Sequence, residues 1–321
     1  MSQPLVQIND LKKYFPIKSS FFGKPAGYIK AVDGISLQIE KGEAFGLVGE
    51  SGSGKSTLGQ TILRMHEKTS GQILFDGKDI HTINKKELVH LRTRMQYIFQ
   101  DPYSSLNPKI RIGDAIGEPL LEHGLATKSD VDDKVGNILT MCGMAPRFMD
   151  RYPHEFSGGQ RQRIVIARAM ALNPDFIVAD EPVSSLDVSI QAQIINLFSD
   201  LREQRELSYL FISHDLSIVE HLCSRIAIMY LGIIVELATR DELFSNPVHP
   251  YTKALLSAVP IPDPTLDRHR IELKGDIPSP EKPPSGCRFH TRCPFAKDIC
   301  REQVPELRQA NEDHQVACHL F

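Results

Sequence analysis

A glycine-rich run at residues 49–57 constrains the fold of this chain more than any other feature. It follows a short apolar segment, residues 45–48, and contains the pattern G-x-x-x-x-G-K-S. Apolar residues then recur at helical spacing as far as Met65, so the run lies between a predicted strand and a predicted helix. That context distinguishes a phosphate-binding loop from a chance match.

The residue types in this loop suit phosphate chemistry. Glycines let backbone N–H groups turn toward phosphate oxygens, and the helix N-terminus adds the positive end of its dipole. We expect Lys55 to reach the β- and γ-phosphates of a nucleotide and the Ser56 hydroxyl to ligate Mg²⁺. A glycine-rich turn that merely opens a helix would explain the glycines but not the Lys-Ser-Thr after them. The predicted phosphate-binding residues are Gly49, Glu50, Ser51, Gly52, Ser53, Gly54, Lys55, Ser56 and Thr57.

Composition is that of an ordinary globular protein. The chain has 321 residues, of which 41% are hydrophobic and 24% charged, enough for two domains or for one domain with a tail. The net charge of −3 predicts no nucleic-acid partner. No apolar run approaches the ~18–20 residues of a membrane span, and the first residues lack the pattern of a secretory signal. We therefore expect a cytoplasmic protein that meets a membrane only through partners.

Two strands are predicted before the phosphate loop, an edge strand at residues 5–11 and a strand at 31–39. The segment between them is aromatic and basic, as in a hairpin whose rings cover a small β subdomain. Its Tyr14 is also suited to stack on the adenine ring, because an aromatic face stacks on any base. The other aromatic residues are Phe15, Phe21, Phe22 and Tyr28, of which Phe15 and Tyr28 are alternatives for the adenine contact.

The rest of the nucleotide core alternates predicted strands and helices. Apolar runs predict strands at residues 71–75, 95–99, 176–180 and 209–213, and helical patterns occur at 85–94, 161–172 and 188–202. Residues 110–155 differ, because they contain short helical patterns and no strand pattern. Three of the apolar runs lead directly to polar residues, as parallel strands with reactive groups at their carboxyl ends do. These polar residues are Gln100, Asp180, Glu181 and His214.

These features, with the Ser-Gly-Gly-Gln at residues 157–160, resemble the ATP-binding-cassette ATPases over about residues 4–245. The resemblance implies an α/β fold: a phosphate-loop core with a mainly parallel sheet, an antiparallel β subdomain and a helical subdomain at about 101–157. It implies domains at 1–245 and 246–321, the second a small cysteine-containing extension. At position 156 this chain has Phe where the family more usually has leucine, and both residues are hydrophobic.

The resemblance also implies a role for each polar residue. Ser56, Gln100 and Asp180 would hold Mg²⁺, and Glu181 would act as general base toward the attacking water. His214 would contact the γ-phosphate and orient Glu181. Asp187 would line the seam of a dimer. The signature segment that would contact ATP held by a second subunit is Ser157, Gly158, Gly159 and Gln160.

A narrower resemblance, to the ATPases of oligopeptide, dipeptide and nickel importers, covers nearly the whole chain. It is carried by residues 99–108, 246–252 and 278–294, and is greatest to the second, F-type ATPase subunit of oligopeptide importers. It implies a heterodimer with a second homologous ATPase beneath two permease subunits, fed by an extracellular binding protein. The chain would then lie peripherally at the cytoplasmic face of the membrane. We expect residues 101–155 to form its docking surface for the permease, while the solute is decided by the other chains.

Other classes with a phosphate loop fit less well. Cassette proteins of translation control usually carry two cassettes in one chain, and DNA-repair relatives split the cassette with long heptads that are absent here. A kinase outside the cassette family has no use for the Ser-Gly-Gly-Gln segment and His214. The alternatives that remain are an importer ATPase for another solute, such as nickel, and an ATP-regulated metal-cluster sensor.

Four of the six cysteines lie in the last 35 residues, after a Pro- and Gly-rich linker at 260–286. Their spacing is C-x₅-C-x₆-C-x₁₇-C in a segment too small to bury much core, so a metal centre would supply cross-links. We predict a [4Fe–4S] cluster on Cys287, Cys293, Cys300 and Cys318. The alternatives are zinc with help from His290 or His319, although the usual C-x₂₋₄-C pair is absent, and free thiols on a docking tail. Cys142 and Cys223 are predicted core residues.

Overall fold

The computed structural model describes residues 3–17, 25–259 and 270–321. Its strands are β1 (Val6–Ile17), β2 (Gly27–Ile39), β3 (Ala44–Val48), β4 (Ser70–Phe75), β5 (Lys78–Asp79), β6 (Met95–Ile98), β7 (Phe176–Asp180), β8 (Ser208–Ser213), β9 (Arg225–Tyr230), β10 (Ile233–Thr239), β11 (Arg308–Asn311) and β12 (His314–Val316). Its α-helices are α1 (Lys55–Ile62), α2 (Lys85–Arg94), α3 (Pro102–Ser105), α4 (Ile112–Glu122), α5 (Val131–Met141), α6 (Gly158–Met170), α7 (Val188–Arg205), α8 (Leu216–Leu222), α9 (Arg240–Ser245), α10 (Pro250–Ser257) and α11 (Ile299–Glu302).

The chain forms two compact units. The first comprises residues 1–40, 44–81 and 213–321, and the second comprises 41–43 and 82–212. Among the described residues, no helix combines the length and the apolar character needed to cross a membrane. These two units do not correspond to the predicted domains at 1–245 and 246–321, so that domain boundary stays a prediction.

An antiparallel sheet in the first unit has the strand order β2-β1-β4-β5. Val6, Ile8 and Leu11 of β1 are buried, and β1 pairs with β2 on one side and with β4 on the other. The expectation of an edge strand at 5–11 was therefore wrong, because β4 returns to cover the second side of β1. The predicted hairpin is confirmed by the β1–β2 pairing as far as Ile17 and Gly27. Phe21, Phe22 and residues 260–269 of the predicted linker lie outside the described residues.

The remaining strands of the first unit follow the order β3-β9-β10-β12-β11. β3 and β9 are parallel, whereas β10 pairs antiparallel with both β9 and β12. Gly232 interrupts the apolar run between β9 and β10, where its φ of 84° suits a tight turn. The last segment of the chain thus supplies two strands to this sheet, which the sequence analysis did not predict.

The second unit contains three parallel strands, β6, β7 and β8, with β7 in the middle. All residues of β7 and β8 are buried, which explains why their sequences are apolar except for Asp180, Ser208 and Ser213 at the strand ends. The segment before the signature is helical, as predicted, with α3, α4, α5 and 3₁₀ turns at Pro146–Asp150 and Pro153–Glu155. In α4, Ile112, Ile116 and Leu120 recur every four residues and are buried, so one face of that helix packs inward.

Candidate functional site

β3 leads directly into the phosphate loop in the first unit. All five residues of β3 are buried, and Gly54 caps α1 with a φ of 104°. A Cβ atom at Gly54 would lie 2.0 Å from the carbonyl oxygen of Ala31, and one at Gly49 would lie 2.2 Å from that of Met229. Only glycine fits at either position, because the backbone of neighbouring strands approaches the loop so closely.

Lys55 folds back over this loop. Its side chain is buried, and Nζ donates hydrogen bonds to the carbonyl oxygens of Gly49 at 2.7 Å and Glu50 at 3.0 Å. The Ser53 hydroxyl is also buried and has no hydrogen-bond partner among the described residues. A buried hydroxyl without a partner is unfavourable, and a phosphate oxygen would relieve it. The loop therefore fits a polyphosphate, with the side chain of Ser56 exposed at the start of α1.

The strands of the second unit bring two of the predicted catalytic residues together. β6 and β7 are parallel and in register, so the residues after them lie side by side. Gln100 Nε2 donates a hydrogen bond to Glu181 Oε2 at 3.0 Å. Tyr97, in β6, donates its hydroxyl hydrogen to Asp180 Oδ2 at 2.6 Å. The sequence pattern does not indicate Tyr97, because its phenol hydroxyl is not the only polar group in β6, which also contains Gln96.

Glu181 has an unusual backbone conformation for a residue with a side chain. Its φ is 46°, in the left-handed region, and its N–H donates to the carbonyl oxygen of Ile212 in β8 at 2.9 Å. Such a conformation costs about 1–3 kcal/mol and occurs often at functional sites. The carboxylate is thus held by the backbone, by β8 and by Gln100 together.

His214 and Asp187 are exposed residues at the ends of elements. His214 follows Ser213, the last residue of β8, and belongs to the first unit together with the phosphate loop. Asp187 is the residue before α7 and makes no capping hydrogen bond through its side chain. The roles predicted for both residues depend on a bound nucleotide or a second subunit, so they stay predictions.

The Ser-Gly-Gly-Gln segment forms the N-terminus of α6. Ser157 Oγ accepts a hydrogen bond from the N–H of Gln160 at 3.4 Å, and Gln160 Oε1 accepts one from the N–H of Ser157 at 3.1 Å. A Cβ atom at Gly159 would lie 2.4 Å from Ile190 Cγ2, so α7 packs closely against this turn. Phe156 is buried with its ring edge toward Phe148. The segment is an ordered helix start whose free N–H groups suit an anion.

Tyr14 takes part in a polar network in the first unit. Its hydroxyl donates to Asp33 Oδ1, and Arg288 binds the other oxygen of the same carboxylate. Burial and the hydrogen bond to Asp33 raise the pKa of Tyr14. Burial would raise the pKa of Asp33, but its bonds to Tyr14 and Arg288 hold it below its usual value. Of the alternatives for the adenine contact, Phe15 packs edge-on against His66 and Tyr28 is exposed; stacking by Tyr14 stays a prediction.

The four C-terminal cysteines form no disulfide bond, nor do Cys142 and Cys223 in the core. Burial raises the pKa of Cys287 to about 11, and the charges of Cys293, Cys300 and Cys318 act on it in the same direction. Cys300 Sγ accepts the Lys297 N–H at 3.4 Å, and each of the other three thiols accepts a backbone N–H two residues further along. Among the described residues, no three His, Cys, Asp or Glu side chains lie close enough to hold a metal ion.

The chain matches two protein-family models. Residues 32–184 match the family described as "ABC transporter". Residues 235–300 match "Oligopeptide/dipeptide transporter, C-terminal region". Together these matches cover the phosphate loop, Asp180 and Glu181, and most of the cysteine-containing tail.

Curated relatives are similar over nearly their whole length. The oligopeptide transport ATP-binding protein AppF of Bacillus subtilis is 53% identical, over 99% of this chain and 98% of that relative. A putative peptide import ATP-binding protein of Brucella ovis is 51% identical, over 98% of this chain and 97% of its own.

Solved structures share the fold. The ATP-binding cassette MJ0796, a dimer bound to ADP and phosphate, superposes with a TM-score of 0.64 at 27% identity, covering 73% of this chain and 98% of that cassette. CbiO1 of Clostridium perfringens, at 24% identity, has a TM-score of 0.66 over 76% of this chain and 92% of its own.

Proposed function

The chain belongs to the ABC transporter family, in its oligopeptide and dipeptide transporter group, and from this membership we propose that it hydrolyses ATP to drive peptide import. The observation that carries the proposal is the contact between Gln100 and Glu181, at the ends of strands that the sequence alone predicts. The full-length similarity to peptide import ATP-binding proteins supports it, as does the fit of the phosphate loop to a polyphosphate.

In the proposed reaction this chain positions groups rather than forming covalent bonds. Lys55 and the N–H groups of residues 49–57 bind the β- and γ-phosphates, and Tyr14 stacks on adenine. Mg²⁺ would neutralise phosphate charge when bound, held by Ser56, Gln100 and Asp180. Glu181 takes a proton from the attacking water while Gln100 keeps its carboxylate in place, and His214 contacts the γ-phosphate.

The proposed site is completed by a second subunit. The helix start at 157–160 would bind the γ-phosphate of ATP held by a homologous ATPase, and Asp187 would line the seam between the two. Two permease subunits would dock on residues 101–155, and an extracellular binding protein would deliver the peptide. The chain would lie peripherally on the cytoplasmic face of the membrane.

Uptake measurements test this proposal and separate it from the nickel alternative. A strain lacking the chain is complemented with the wild type or with Lys55→Ala, and uptake of a labelled oligopeptide, a dipeptide and Ni²⁺ is followed. Peptide uptake restored by the wild type alone is the expected result. Restoration of Ni²⁺ uptake without peptide uptake would assign the nickel function, and restoration of neither, without co-purification of a permease, would favour a sensor.

We further propose that the tail cysteines take a [4Fe–4S] cluster. The N–H···S hydrogen bonds of the four thiols support it, because such bonds stabilise thiolate ligands. Protein purified without oxygen should be brown and hold about four irons per chain. Colourless, iron-free protein under the same conditions would refute the cluster.

A further inference from the structure

A guanidinium from the cysteine-containing tail reaches the phosphate loop. Arg292 Nη1 lies 2.6 Å from Glu50 Oε2, and Arg292 Nη2 lies 3.1 Å from Glu50 Oε1. The two side chains are only 8% and 27% exposed, respectively. Glu50 is the second residue of the loop, and Arg292 directly precedes Cys293. This two-bond geometry is the strong form of an arginine–carboxylate contact.

The backbone of Glu50 is held at the same time. Its N–H donates to the hydroxyl of the buried Tyr251 at 2.9 Å. Its carbonyl oxygen accepts hydrogen bonds from Lys55 Nζ at 3.0 Å and from the Ser53 N–H at 3.2 Å. A shift of Glu50 would therefore displace the lysine that is expected to bind the phosphates.

The contact between Arg292 and Glu50 also changes the charge next to the phosphates. A carboxylate within a loop that binds a polyphosphate anion would repel that anion, and more strongly where the site is partly buried. The hydrogen bond to Glu50 raises the pKa of Arg292, so its positive charge is permanent. Arg292 thus cancels the charge of Glu50 next to the phosphates.

The same tail segment has a second anchor in the first unit. Arg288, which follows Cys287, donates to the carbonyl oxygen of Leu231 and to Asp33, the carboxylate that binds Tyr14. Two arginines in one seven-residue cysteine loop, residues 287–293, therefore contact both regions assigned to the nucleotide. The tail is positioned to act on nucleotide binding.

We propose that Arg292 is a positioning residue for ATP, which acts through Glu50 to hold the phosphate loop and to cancel the charge of its carboxylate. The inference rests on the proposed ATPase function and adds a dependence of ATP affinity on the C-terminal tail. It predicts that loss of Arg292 weakens ATP binding but changes the rate of hydrolysis of bound ATP little.

The test compares ATP affinity and turnover in full-length variants. Arg292→Gln should raise the ATP dissociation constant, and KM with it, about tenfold, while kcat at saturating ATP stays within about twofold. Arg292→Lys keeps the charge but not the paired bonds, and should fall between Arg292→Gln and the wild type. The matched control is Arg301→Gln, which removes an exposed arginine that directly follows Cys300 in the same tail and should leave both constants unchanged.

A double-mutant cycle separates the charge effect from general damage. In a Glu50→Gln background, Arg292→Gln should change the ATP dissociation constant less than about twofold, because no carboxylate remains to be cancelled. Unaltered affinity in Arg292→Gln, or the same tenfold loss in both backgrounds, would overturn the inference. If Arg292→Gln does not fold, Arg292→Lys is compared in the wild-type and Glu50→Gln backgrounds instead, and an equal loss of ATP affinity in both would overturn the inference. A wild-type chain that binds no ATP would instead overturn the proposed function itself.

Discussion

At the scale of single residues, Glu181 is held in place both by its backbone bond to Ile212 and by the hydrogen bond from Gln100. We expect Glu181→Gln to keep ATP binding, because the amide preserves the shape of the side chain and leaves the phosphate loop unchanged. Turnover in the assembled transporter should fall about 100-fold or more, the loss expected without a general base. Lys55→Ala should instead lose ATP affinity. ATP hydrolysis by Glu181→Gln at close to the wild-type rate would remove Glu181 from the role of base.

Tyr97 is a second residue whose effect can be measured. Its hydroxyl binds Asp180, the proposed Mg²⁺-supporting carboxylate, and partners of ligand side chains commonly contribute about tenfold to metal affinity. Tyr97→Phe should therefore raise the Mg²⁺ concentration for half-maximal ATPase activity by about tenfold. Tyr209→Phe is the matched control, because the Tyr209 hydroxyl is buried in the neighbouring β8 and has no partner among the described residues. Equal Mg²⁺ requirements in the wild type and Tyr97→Phe would exclude this role.

At the scale of elements, not every residue at the start of the predicted docking surface, residues 101–155, is exposed. Tyr103 in α3 is 61% exposed, with the guanidinium of Arg161 from the signature helix α6 at 4.1 Å from its ring centre. Leu106, which lies within the predicted docking surface at 101–155, is buried at 4% exposure. The Tyr103–Arg161 contact links the proposed docking surface to the helix that would bind the partner's ATP.

We expect Tyr103→Ser to uncouple transport from hydrolysis. Basal ATPase activity of the isolated subunit should stay within about twofold of the wild type, while peptide uptake by the assembled transporter is lost. Val89→Ser serves as control and should transport normally, because Val89 is an exposed apolar residue of α2, outside residues 101–155. Normal uptake by Tyr103→Ser would place the permease elsewhere.

The elements also show what local sequence can predict. α2 has its predicted bounds because Asn84 and Glu87 form a capping box at its start. β7 has its predicted bounds because a buried parallel strand is an apolar run that ends at a polar residue, here Asp180. β11 and β12 have four and three residues, and β12 pairs with β10 while β11 pairs with β12, so their order depends on distant strands that no local pattern indicates. Arg292 and Glu50 are 242 residues apart, and nothing near either residue indicates their contact.

At the scale of the whole molecule, one buried hydrogen bond between a glutamate and a histidine attaches the C-terminal strands to the core sheet. Glu236 of β10 is fully buried, and its Oε1 lies 2.7 Å from Nε2 of His314 in β12. His314→Ala should lower the free energy of unfolding by about 2 kcal/mol, because Glu236 Oε1 loses a buried hydrogen-bond partner. His319→Ala removes only an exposed hydrogen bond to the Gln303 carbonyl and should cost less than about 1 kcal/mol. Urea denaturation of both variants measures the difference, and equal midpoints would contradict this account.

The pairing of β10 with β12 also has a consequence for biosynthesis. Glu236 pairs with Val316, about eighty residues later, so the ribosome makes β10 several seconds before its partner strand at about 5–20 residues per second. During that interval the outer edge of β10 has unpaired backbone groups and apolar residues, the kind of edge to which other chains add strands. The nascent chain should therefore depend on chaperones until β12 emerges, after which the short polar β11 becomes the outermost strand.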